Sequence, residues 1–189
     1  NVLGQYHPLF YEEPIRPENI EAWGRLKAQL RVPLATGESL YSRFEFLRLL
    51  QCAGADIIQP DICAVGGLLE MRKIAAIAEA FYVPVAPHNP MGPLATAVNV
   101  HFAAACPNFK ILEYRLPAGA AYHSNGMGHA AEATAYVKDP YLPVDGYLQL
   151  RPDRPGWGVE MDEEYLKTDN YVHWERKLPI RPDGSTGYC

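Results

Sequence analysis

An α/β protein built on a parallel sheet is the fold class that three features of the sequence predict. Short apolar runs recur at residues 8–11, 32–35, 56–58, 83–86 and 109–112, rich in Leu, Ile, Val or Phe with little polar alternation. That is how strands buried on both faces read. Helix-length segments lie between the runs, and an ionisable residue follows each one. A repeat of about twenty-five residues calls for βαβ crossovers in one parallel sheet. A doubly wound open sheet and part of a (β/α) barrel both satisfy it.

The first strand runs into Glu12, Glu13 and Pro14. A helix is expected over 18–30, where Ile20, Trp23, Leu26 and Leu30 recur at three- and four-residue steps. After the second strand, Gly37 and Glu38 precede a helix over 43–51 carrying Phe46, Leu47, Leu49 and Leu50. The third strand ends at Pro60 and Asp61. Beyond it, Ala-rich 68–81 sets Ile74, Ile77 and Ala78 on one face and Glu70, Arg72, Lys73 and Glu79 elsewhere. The fourth strand leads to Pro87 and His88, and a nearly uncharged helix over 94–105 is expected to be buried. The fifth ends at Glu113.

No Gly-x-Gly-x-x-Gly follows the first strand and no Gly-x-x-x-x-Gly-Lys occurs, so dinucleotide and P-loop readings lose support. Residues 115–135 are rich in Ala, Gly and His and weakly patterned. Residues 136–160, punctuated by Pro140, Pro143, Gly146, Pro152, Pro155 and Gly158, read as short strands and turns. The tail 174–189 reads as an extended surface segment.

Composition narrows the function classes. With 48% apolar and 21% charged residues the chain carries a buried core rather than global disorder. A net charge of −5 with no Lys/Arg block argues against nucleic acid or an anionic membrane surface as partner. No apolar run approaches the roughly 18 residues of a spanning helix. Cys52, Cys63, Cys106 and Cys189 stand 11, 43 and 83 residues apart, neither a metal clip nor a disulfide framework. A reducing, cytoplasmic setting follows, with the thiols packed as small hydrophobes. The chain opens on Asn1 with neither an initiator Met nor a signal sequence, and is expected to be a piece of something longer.

Function is most legible where the strands end. Glu12, Glu38, Asp61, His88 and Glu113 follow one another at 26, 23, 27 and 25 residues, one per βα unit. In a parallel barrel those strand ends converge on one mouth, where the chemistry is done. Each residue alone has an ordinary reading: acids favour helix starts, Asp61 suits a cap or turn, and His88 suits a hydrogen-bonded loop. The regular spacing favours the shared mouth. His7, His101, His123, His129 and His173 show no such placement and are read as structural. The tyrosines, Trp23 and Trp157 are read as packing.

Two carboxylates on neighbouring strands make an oxygen-rich site suited to Mg2+. An Asp one strand before a His orients the imidazole and raises its basicity. A metal beside a His base suits removal of the proton α to a carboxylate, with the enediolate charge neutralised.

Several segments together resemble the enolase superfamily: Phe10-Tyr-Glu-Glu-Pro14, Leu34-Ala-Thr-Gly-Glu38, Ile58-Gln-Pro-Asp61 with Gly66-Gly67, Ala86-Pro-His-Asn-Pro-Met-Gly-Pro93 and Pro107-Asn-Phe-Lys-Ile-Leu-Glu113. The nearest branch is the mandelate racemase-like sugar-acid dehydratases of galactonate and gluconate type. Pro155-Gly-Trp-Gly-Val-Glu-Met-Asp-Glu163 resembles that family's segment returning to its capping domain.

The resemblance implies the carboxyl-terminal part of a modified (β/α) TIM-like barrel, strands 4 to 8, plus that returning tail. Residues 1–135 would be the partial barrel, and 136–189 the segment packing on a capping domain absent from this chain. It implies Glu12 and Glu38 as Mg2+ ligands, His88 as the base that removes the α-proton, and Asp61 as its partner. Glu113 would hydrogen-bond the substrate carboxylate. The family's third ligand, an Asp often followed two residues later by a second His, would lie ahead of Phe10. The implied activity is dehydration of an aldonic acid to its 2-keto-3-deoxy product by a homo-oligomeric parent, the fragment alone being inactive. A racemase or cycloisomerase of the same superfamily and a non-catalytic sugar-acid-binding protein are the alternatives.

Overall fold

The computed structural model of the 189-residue chain describes residues 2–115, 136–167 and 180–185. A 3-10 helix, Val2–Tyr6, leads into β1 (Tyr11–Glu12), α1 (Ile20–Lys27), β2 (Leu34–Thr36), α2 (Arg43–Gln51) and β3 (Ile57–Ile58). Then come α3 (Leu68–Ala80), α4 (Pro93–Ala104) and a short α5 (Glu163–Lys167). Strand order is β1-β2-β3, all parallel, with Tyr11 opposite Leu34 and Ala35 opposite Ile57. Single parallel bridges from Ile58 to Val85 and from Val85 to Phe109 continue the order to the fourth and fifth expected strands.

The strands are shorter than the apolar runs suggest, because prolines bracket them. Pro33 and Pro84 precede Leu34 and Val85, while Pro14, Pro60 and Pro87 follow the other ends. Proline lacks the N–H that a ladder needs. Helices α1 to α4 fall where expected, α2 matching its predicted span, whereas the short α5 is not among the expected helices. Ser42 and Glu45 close a reciprocal capping box at the start of α2.

Alternation along the strands separates two faces. Leu34, Ile58 and Val85 point outward into the main core with Trp23 of α1, Phe46 and Leu49 of α2, and Met71 and Ile74 of α3. Ala35, Ile57 and Ala86 form a separate inner cluster with Phe10. Helices cover one face of the sheet, and Ala35, Ile57, Ala86 and Phe10 line the other.

Residues 136–161 supply antiparallel bridges, Val137 to Met161 and Val144 to Tyr147. This segment packs on α4, with Tyr141 buried against Ala97 and Val100. Arg151 staples it by donating to the carbonyls of Asp139, Pro140 and Gly158 at 2.8–3.0 Å and lies 4.2 Å over the Tyr141 ring.

Two expectations change. Cys63 is exposed rather than packed among apolar side chains: its N–H and its thiol both turn to the Asp61 carboxylate. Trp157 is only partly covered, at 38% exposure, with its ring edge-on to His101 at 5.5 Å. His123, His129, His173, Cys189 and most of the expected tail lie outside the described residues.

Candidate active site

Asp61 and His88 are brought together by backbone pairing. A parallel bridge joins the two residues directly, and His88 Nδ1 stands 2.8 Å from Asp61 Oδ2. Asp61 is 1% exposed, and its other oxygen accepts the Cys63 N–H at 2.7 Å. Burial alone would push its carboxyl up. The hydrogen bonds from His88 and from the Cys63 and Ala64 N–H groups outweigh that and hold it below the usual aspartate range. An ionised carboxylate only accepts, so Nδ1 carries the proton and Nε2 is left to act.

Glu38 faces that nitrogen, with Oε2 3.4 Å from His88 Nε2. Burial disfavours the imidazolium, but the Asp61 hydrogen bond and the charges of Glu38, Glu113 and Asp61 together raise the His88 pKa above its ordinary value. Glu113 is fixed beside the same loop, its Oε2 accepting the Asn89 N–H at 2.8 Å.

Asn89, 2% exposed, ties the two strand ends to α4. Its Nδ2 donates to the Glu113 carbonyl and to Thr96 Oγ1, both at 3.0 Å, and its Oδ1 accepts from Asn99 at 3.0 Å.

The two adjacent glutamates divide their work. Glu12 shares the inner face with Ala35 opposite it and accepts Gln59 Nε2 at 2.6 Å. Glu13, at φ +43°, turns aside to accept from the Thr36 hydroxyl and, at 2.9 Å, the Gly37 N–H. Burial is the main cause raising the Glu13 pKa, opposed by those hydrogen bonds and reinforced by Glu38.

Gly37 itself sits at φ +144°, where a Cβ would come within 2.9 Å of Gln59 N and 2.8 Å of Phe46 Cε1. Only glycine fits the turn that carries Glu38.

The structure thus joins Glu38, Asp61, His88 and Glu113 in one constellation and puts Glu12 on the same inner face through Gln59. Glu12 and Glu38 are hard oxygen donors of the kind Mg2+ takes. Among the described residues no three His, Cys, Asp or Glu side chains are grouped to hold a metal ion. Two such carboxylates would make up part of a six-oxygen shell.

Thr36, Gln59 and Asn89 were not singled out from the sequence. A step of two back from Asp61 finds Gln59, and the residue after His88 is Asn89. A cavity of about 420 Å³ lined by Lys27, Arg31, Asp56 and Lys110 opens instead at the opposite, amino ends of the strands.

Sequential parallel strands joined by helices, with acids and a histidine converging past their carboxyl ends, define a segment of a (β/α) barrel with a polar, ionisable cluster at its mouth. The chain belongs to the enolase C-terminal domain-like family, which matches residues 1–165.

The D-galactonate dehydratase of Cronobacter sakazakii is 40% identical over 187 residues, 97% of this chain and 47% of that protein. That of Ralstonia nicotianae is 38% identical over 188 residues with the same coverage, 97% and 47%. The chain spans about half the length of the curated relatives it matches. An enolase from Agrobacterium radiobacter, provisionally named a galactarate dehydratase and bound to Na and L-malate, is 66% identical. Its TM-score is 0.89 over 100% of this chain and 48% of that one. A provisionally named mandelate racemase/muconate lactonizing enzyme from Burkholderia is 36% identical, with TM-score 0.77 over 98% of this chain and 45% of that one.

Proposed function

We propose that this chain is the carboxyl-terminal portion of a Mg2+-dependent sugar-acid dehydratase. The observation that carries the reading is the Asp61–His88 pair at 2.8 Å, flanked by Glu38 and Glu113. The dehydratase names of the relatives above supply the substrate class, a polyhydroxy acid of galactonate or galactarate type.

Glu12 and Glu38 would hold Mg2+, which when bound neutralises the charge developing on the substrate carboxylate. His88 Nε2 takes the proton from the carbon α to that carboxylate, while Asp61 keeps Nδ1–H oriented and supports the imidazolium that forms. Glu113 would donate a hydrogen bond from its carboxyl O–H to a substrate carboxylate oxygen, a bond that strengthens as charge moves onto that oxygen. The electron pair of the broken C–H bond forms a C=C bond, the hydroxyl on the β-carbon departs as water with a proton, and the enol becomes a 2-keto-3-deoxy acid.

The test is a panel of sugar acids, D-galactonate and galactarate included, incubated with the complete protein and Mg2+ in deuterated buffer. Formation of a 2-keto acid supports the reading. Solvent exchange at the α-carbon without water loss would point to racemase or cycloisomerase chemistry, and neither change to a sugar-acid-binding role. Glu12→Gln and Glu38→Gln should each weaken Mg2+ binding and collapse turnover. Normal metal dependence in both would overturn the ligand assignment.

A further inference from the structure

Three buried side-chain polar atoms among the described residues lack a hydrogen-bond partner: Gln59 Oε1, Asn99 Oδ1 and His101 Nε2. Asn99 and His101 belong to α4, whereas Gln59 stands at the carboxyl end of β3, two residues before Asp61. Ile57 faces inward with Ala35 and Ala86 while Ile58 faces outward. Alternation therefore returns Gln59 to the inner face. Its Nε2 reaches Glu12 Oε1 at 2.6 Å, although β2 lies between β1 and β3. The side chain spans the inner face of the sheet.

A carboxylate has no proton to give, so the amide must present its NH2 to Glu12 and its oxygen elsewhere. That oxygen is fully buried in a residue only 6% exposed and receives no donor. A buried acceptor left unsatisfied is costly, and sites of function are where such atoms are retained.

We infer that Gln59 is a binding residue of this site: its Nε2 holds Glu12 by one carboxylate oxygen, leaving the other for the cation, and its Oε1 accepts a hydrogen bond from an O–H that arrives with the occupant. The donor is a water on the cation or a hydroxyl of the polyhydroxy acid, which present the same chemistry. The inference rests on the proposed dehydratase site and adds a residue to it.

The experiment is calorimetric titration of the complete protein with Mg2+ alone, then with L-malate at saturating Mg2+. Wild type is compared with Gln59→Met, near in shape but without either polar atom, and with Gln59→Asn, one methylene too short to reach Glu12. Mg2+ affinity is expected to fall about tenfold in both variants, with the melting temperature little changed. In a Glu12→Gln background the Gln59→Met loss should shrink, because both residues act through one carboxylate.

A further loss of malate affinity beyond the Mg2+ effect identifies a ligand hydroxyl as the donor. A loss confined to Mg2+ identifies metal-bound water. Unchanged affinities for both probes in both variants overturn the inference while leaving the dehydratase reading in place. Failure of wild type to bind either probe overturns the dehydratase reading itself.

Discussion

His88→Asn should abolish exchange of the substrate α-proton with solvent in the complete protein while leaving the fold intact, since the side chain lies outside the apolar core clusters. Normal exchange, read by NMR in deuterated buffer, would remove His88 as the base. Asp61 is expected to act on stability as well as on that step. His88 faces its carboxylate from the fourth strand end, and the Cys63 N–H and thiol from its own turn. Its folded pKa lies below the unfolded value of about 3.9, so it adds stability above that pH and loses the contribution as pH falls through the folded value. Asp61→Asn should therefore be less stable than wild type near neutrality, with the gap closing below about pH 4. Urea midpoints across a pH series read this, and a gap independent of pH would show that the charge contributes nothing. The five ionisable residues were legible in the sequence because each ends one βα unit. Gln59 and Asn89 were not, because an amide beside an acid or a histidine has no spacing signal of its own.

The elements that hold these side chains are short, so local devices matter. Glu38 sits between the Gly37 turn and the Ser42 capping box of α2. Gly37→Ala combines a positive φ with a Cβ pressed against Gln59 N and Phe46, and should cost on the order of 1–3 kcal/mol. Ser42→Ala removes one half of the box and should cost about 1 kcal/mol. Denaturant unfolding measures both, and a Gly37→Ala protein as stable as wild type would mean that the turn relaxes freely. Helix positions were readable from apolar spacing. Strand lengths were not, because apolarity marks burial whereas Pro33, Pro60, Pro84 and Pro87 decide where a ladder can form.

For the whole molecule, the described residues carry strands in the order β1-β2-β3 with single-bridge continuations at Val85 and Phe109. Among the described residues β1 pairs only with β2, so its other side is an edge. With two carboxylates as candidate ligands and about half the length of its curated relatives covered, residues 1–189 alone are expected to be inactive. The expected behaviour is association through the β1 edge, where Leu9 and Tyr11 are exposed. Light scattering and a sugar-acid dehydration assay at saturating Mg2+ test this. Robust turnover by a monomer would place the remaining ligand and acid within this chain.

By itself the sequence determined the αβ alternation, the helix spans and the one-per-strand placement of Glu12, Glu38, Asp61, His88 and Glu113, because periodic burial and strand-end spacing are local along the chain. Tertiary structure decided the rest. It chose Glu12 for the inner face while Glu13 turned aside to Thr36 and Gly37, set Asp61 against His88, and strung Asn89 between Glu113 and α4. It also laid Gln59 across to Glu12. These are contacts between residues 23 to 47 positions apart or across different elements, and only the closing of one strand against the next brings them within hydrogen-bond reach.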